Sequence, residues 1–303
     1  MNPAIEIKNL SLCYGDIIVL ENIELTIPEN SFVSIVGPNG AGKTTMMRMI
    51  MNIIKPDFGE ILYNKEPRGK FKSLHFGYLP EERGLYPKAT VLEMLVYFGT
   101  LNNLNRRKAE VEAIRYLDRL GIIDYSDATV NHLSKGMQQK VQFIAAFLHD
   151  PDVLILDEPF SGLDPINQIV LTDILTEYKR EDKILIISTH HMDQAEKLCD
   201  HICLMNNGHV VLDGNLKDIK RNRRENAYIV EGDFLSFLHN FEQIEILEEN
   251  NTAFKFCLKD KEVDISEIIT KINKRTQIRR FEILEPSLQD MFIKIIQEKS
   301  QAR

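Results

Sequence analysis

Ser31-Phe32-Val33-Ser34-Ile35-Val36-Gly37-Pro38-Asn39-Gly40-Ala41-Gly42-Lys43-Thr44-Thr45-Met46-Met47-Arg48-Met49-Ile50 is the stretch that decides the fold. An apolar run enters a glycine-rich segment of the form G-x-x-x-x-G-K-[ST], and apolar-spaced residues follow it, which reads as strand, loop and helix. Glycines let successive backbone N–H groups turn toward one point, where the helix also presents its positive end. That is a cradle for the phosphates of ATP or GTP, built from Gly37, Pro38, Asn39, Gly40, Ala41, Gly42, Lys43, Thr44 and Thr45. In such a cradle Lys43 neutralises the β- and γ-phosphates and the Thr44 hydroxyl ligates Mg²⁺. An ordinary glycine-rich strand-to-helix turn is the competing reading; the flanking strand and helix weigh against it.

The chain of 303 residues, 44% of them hydrophobic, is long enough for two domains. Its net charge of −8 argues against a dedicated nucleic-acid binder, which needs a basic patch. No apolar run approaches the roughly 18 residues of a membrane-spanning helix. Met1-Asn2-Pro3-Ala4-Ile5-Glu6 lacks the pattern of a signal peptide, so the chain is expected in the cytoplasm. Cys13, Cys199, Cys203 and Cys257 are scattered without zinc spacing and are expected to be reduced.

Residues 4 to 27 alternate apolar and polar side chains, as an antiparallel sheet with one wet face does. Tyr14, in the first turn, is either surface filler or a ring that stacks on a purine. His75 to Tyr86 read as a short strand entering a polar loop, a usual place for a moving contact. Helices are expected from Val91 to Leu101 and from Arg106 to Leu120. Leu133-Ser134-Lys135-Gly136-Met137 opens another, with Ser134 as its cap and Gly136 keeping the first turn open to an anion.

Val153-Leu154-Ile155-Leu156-Asp157-Glu158-Pro159 is an apolar strand ending in two carboxylates, and parallel sheets bind ligands at that end of their strands. Asp157 is placed to hold Mg²⁺ through its water shell and Glu158 to polarise the water that attacks the γ-phosphate. Ile184 to Ser188 form a further buried strand, ending in Thr189-His190-His191; of the two histidines His190 is the candidate for ligand contact.

Together the phosphate loop, Leu133–Met137, the acidic strand, Ser161-Gly162-Leu163-Asp164-Pro165 and His190 resemble the ATP-binding subunits of ABC transporters over about residues 4 to 215. The resemblance implies ATP and Mg²⁺ as cofactors and an α/β fold: a P-loop NTPase domain with an antiparallel β subdomain and a helical subdomain. It implies a head-to-tail pair, most simply a homodimer, in which each ATP lies between one chain's loop and the partner's Ser134 and Gly136. It further implies that Tyr14 stacks on adenine, His190 contacts the γ-phosphate and Asp164 couples the two sites. A separate polytopic permease would hold the subunit at the inner face of the membrane.

Glu81 stands where the family commonly has Gln, and reads as a further Mg²⁺ ligand or a contact to the attacking water. Lys135 and Met137 replace the usual Gly and Gln of the signature. These departures, with Glu82-Arg83-Gly84-Leu85-Tyr86 and Glu285-Pro286-Ser287-Leu288, resemble the sodium-extrusion type of ABC-2 exporter. The function implied is ATP hydrolysis that powers export. A soluble ABC-type ATPase acting on ribosomes or nucleic acid is the alternative, and a small-molecule phosphotransferase a third.

The nucleotide domain is expected over residues 1 to 220 and an accessory domain over 225 to 303. In the latter the order β-α-β-β-α-β is that of a ferredoxin-like unit. The charged run from Lys217 to Glu225 between them reads as a solvated linker or a face for anionic lipid.

Overall fold

The computed structural model describes residues 3–67, 75–82, 84–179, 183–222, 227–250, 252–260 and 263–301. Arg83 and the stretch 223–225, both named above, lie outside them. The chain divides into two compact units, Met1–Leu216 and Lys217–Arg303.

The first unit opens with β1 (Pro3–Tyr14) and β2 (Ile17–Pro28), paired antiparallel, then β3 (Phe32–Val36) and helix α1 (Lys43–Ile50). There follow β4 (Phe58–Tyr63), β5 (Glu66–Pro67), β6 (Phe76–Leu79), α2 (Val91–Leu101), α3 (Arg106–Arg119) and α4 (Lys135–Phe147). The unit continues with β7 (Val153–Asp157), α5 (Pro165–Tyr178), β8 (Ile184–Thr189), α6 (Met192–Leu198), β9 (His201–Asn206) and β10 (His209–Asn215).

Two sheets result. One is antiparallel in the order β2-β1-β4-β5; the other runs β10-β9-β3-β8-β7-β6 and is parallel apart from its edge strand β10. Every residue of β3, β7 and β8 is buried, which is why these strands read as apolar runs, interrupted at Ser34 and ending polar in Asp157 and in Ser188-Thr189. The alternating strands β1 and β2 turn Ile5, Ile7, Leu20 and Ile27 into a core shared with Met46 and Met47 of α1 and Ile155 of β7. Each such side chain contributes about 1.5–3 kcal/mol on burial. Caps start the helices where their sequences place them: the Thr90 side chain accepts from Glu93 N and in turn donates to its carboxylate, Ser134 accepts from Met137 N, and Asp164 accepts from Asn167 N.

Helix α4 lies close against β6 because Gly77 has no side chain. A Cβ there would collide with Ala146 O and come within 2.8 Å of Pro151 Cγ. Gly77→Ala is therefore expected to destabilise this unit by about 1–3 kcal/mol. Thermal unfolding followed by circular dichroism measures it, and an unchanged melting temperature would show that the helix can withdraw without cost.

The second unit comprises α7 (Leu216–Asn222, beginning one residue earlier), β11 (Ala227–Gly232), β12 (Ile244–Glu249), β13 (Ala253–Leu258), α8 (Ile265–Asn273), β14 (Ile278–Leu284) and α9 (Leu288–Gln301). Its sheet is fully antiparallel in the order β12-β13-β11-β14, the pairing of a ferredoxin-like unit. Two local expectations change. The first helix of the expected β-α-β-β-α-β order, which the sequence places over Phe234 to Phe241, is not an α-helix but a 3-10 segment, Leu235–Asn240, entered through a left-handed Phe234. The start of the charged run is helix rather than linker, because Leu216 and Ile219, three residues apart, are both buried.

Candidate nucleotide site

β3 and α1 are joined by the loop 37–42. Gly42 caps α1 with φ 98°, and a Cβ on it would lie 2.6 Å from Leu20 Cδ2, so both backbone and space demand glycine. Lys43 is only 7% exposed; its Nζ donates to Gly37 O at 2.8 Å and Pro38 O at 3.1 Å. The loop thus folds around its own lysine.

At the carboxyl end of the neighbouring strands, Asp157 pairs in register with Ser188. Ser188 Oγ donates to Asp157 Oδ1 and accepts from Glu158 N at 3.0 Å, so one hydroxyl orients both acids. Glu158 itself has φ 48°, a conformation that costs a non-glycine residue free energy and collects at functional sites. That backbone turn sends its carboxylate toward His190, whose Nδ1 lies 2.9 Å from Glu158 Oε1. Asp157 is fully buried, and its Oδ2 has no hydrogen-bond partner among the described residues. A buried carboxylate oxygen left unpaired is costly unless a cation or ordered water meets it.

Lys43, Asp157 and Glu158 share one cleft of about 400 Å³, lined by Val19, by Asn39 through Thr45, and by Glu81, Asp157 and Glu158; His190 touches Glu158 but is off that lining. Gly37 and Pro38 stand behind the lysine. Tyr14, at the end of β1, is 53% exposed and off the lining. Ser134 and Gly136 are at the start of α4, also outside this cleft; a Cβ on Gly136 would lie 3.4 Å from Gly162 O, which sets the signature-like segment beside the turn Ser161–Pro165. Asp164 caps α5, and hydrogen bonds from the Asn167 backbone and side chain hold its pKa below the usual carboxylate value.

Three residues that shape the site carry no motif. Val19 comes from β2. Ser188 betrays itself only as a polar residue closing the apolar run Ile184–Ile187. Gln142, on α4, donates from Nε2 to Pro80 O and Glu82 O, both at 3.1 Å, and so holds the loop that carries Glu81.

The family model described as "ABC transporter" matches residues 20–161, and that of the "ATP-binding protein DrrA1-3-like, C-terminal domain" matches 214–296. The ABC transporter ATP-binding protein YhaQ of Bacillus subtilis (strain 168) is 42% identical over 95% of this chain and 96% of its own length. The chain belongs to the ATP-binding proteins of ABC transporters. ABC transporter ATP-binding protein NatA of the same organism is 36% identical over 68% of the chain and 85% of its own. A solved structure of an ATP-binding subunit of an ABC transporter, 32% identical, superposes with a TM-score of 0.67 over 72% of this chain and 92% of that one. As an ABC ATPase the chain binds ATP and hydrolyses it to power transport. Among its described residues no helix is long and apolar enough to cross a membrane.

Proposed function

We propose that two copies of this chain close head to tail on two ATP molecules, and that their closing and reopening drive a separate polytopic permease in export. The observation that carries this reading is the meeting of Lys43, Asp157 and Glu158 at one cleft, with His190 held against Glu158 from outside its lining. Backbone N–H groups of residues 39–45 and Lys43 bind the phosphates, Tyr14 takes the adenine, and Ser134 and Gly136 serve the partner's nucleotide. Glu158 accepts a proton from the attacking water, and His190, 2.9 Å away, orients that carboxylate and contacts the γ-phosphate.

Thr44, Asp157 and Glu81 would hold Mg²⁺, which offsets phosphate charge when bound. The unpartnered Asp157 Oδ2 fits that role. Among the described residues no three His, Cys, Asp or Glu side chains gather closely enough to hold a metal unaided, so phosphate oxygens and water would complete its shell. The unit Met1–Leu216 serves as the nucleotide domain and Lys217–Arg303 as the accessory domain; the permease keeps the pair at the inner face of the membrane.

Purifying the tagged chain from detergent-solubilised membranes of its native cell tests the proposal. A polytopic membrane protein at comparable stoichiometry, whose presence changes the ATPase rate, is expected. Ribosomes or nucleic acid in its place, with ATPase unaltered, would favour the soluble alternative.

A further inference from the structure

Helix α4 does two things at once. Its N-terminus carries Ser134 and Gly136, while one face of it and the turn beyond are fastened along β6 and the loop that follows. Gln142 Nε2 bonds Pro80 O and Glu82 O at 3.1 Å each; Ala146 O sits against Gly77; His149 Nε2 lies 3.2 Å from Phe76 O. Positions 142, 146 and 149 follow the spacing of one helical face. Of these fastenings, Gln142 is the one that reaches Glu81, since it grips the carbonyls on either side of that residue. Its amide orientation is fixed by its partners, because two carbonyl oxygens demand the NH₂ group. The residue is 5% exposed, and its Oε1 is buried without a partner among the described residues. An apolar residue here would take the donor from both carbonyls and leave the loop 80–82 untied from α4.

We propose that Gln142 is a positioning residue for Glu81. It locks the loop 80–82 to α4, so that the carboxylate in one nucleotide cleft and the signature-like segment that serves the partner's nucleotide move as one body. The inference rests on Glu81 acting at the cation of the nucleotide site.

The test uses the full-length chain and titrates Mg²⁺ against binding of a fluorescent N-methylanthraniloyl ATP, a readout independent of turnover. Outer-shell partners of a metal typically change its affinity 10- to 100-fold, and about 10-fold is expected for Gln142→Met. Gln142→Leu, likewise without a donor, should behave like Met. Gln142→Lys, which can still donate to both carbonyls, should stay within about threefold of the parent. In a Glu81→Ala background Gln142→Met should add nothing further, as two residues acting through one interaction require. An equal loss with Lys, or an undiminished effect of Gln142→Met in Glu81→Ala, would overturn the assignment. Should Glu81→Ala alone leave the Mg²⁺ dependence unchanged, it is the role of Glu81 that fails, and the inference with it.

Discussion

Glu158→Gln is expected to keep ATP binding and lose about 10²- to 10⁴-fold in turnover, the usual size of a positioned general base. Glutamine has the same shape and can still offer an oxygen to His190 Nδ1, so the 2.9 Å contact can persist. What it lacks is a carboxylate able to take the proton of the attacking water. The orientation of the side chain is set mainly by the backbone, through φ 48° and the 3.0 Å bond from Glu158 N to Ser188 Oγ. Those features are untouched by the substitution, so nucleotide affinity and melting temperature should hold. Single-turnover hydrolysis and equilibrium binding on the same preparation separate the two effects. A variant that hydrolyses ATP at the parental rate would remove Glu158 from the proton transfer.

The phosphate loop and the acidic strand were legible because each imposes a local requirement. Gly42 sits at φ 98°, a conformation glycine adopts freely, and a strand buried on both faces must be apolar, as Val153–Leu156 are up to the terminal Asp157. Helix α4 was legible from the cap Ser134 in its own first turn, and α2 from its apolar spacing. Ser188, Val19 and Gln142 were not, since their roles arise from strand order and packing. Ser188 meets Asp157 only because β7 and β8 are neighbours in register, 31 residues apart in sequence. Gln142 meets the Glu81 loop across 60 to 62 residues. No periodicity of one segment encodes such a meeting. The start of α7 failed for the opposite reason: the charges around it masked the two apolar residues that make it a helix.

Lys43→Met should separate stability from affinity in opposite directions. The lysine is nearly buried, and its ammonium is met by the neutral carbonyls of Gly37 and Pro38; no carboxylate stands within ion-pair distance of it among the described residues. A buried charge without a counter-charge is desolvated at a cost, and replacing such a charge with an apolar side chain of similar volume is often neutral or stabilising. Without nucleotide, then, the variant should melt at the same temperature as the parent or higher. Phosphate would supply the missing anion. Losing one partner of a buried, hydrogen-bonded charge pair costs about 2–5 kcal/mol, which is roughly 30- to 5,000-fold in Kd for ATP. Calorimetric titration with ATP, beside thermal melts of the unliganded chains, measures both quantities. A lysine that merely braces its loop would give a different pattern, with melting temperature and affinity falling together, and that result would take Lys43 out of phosphate binding.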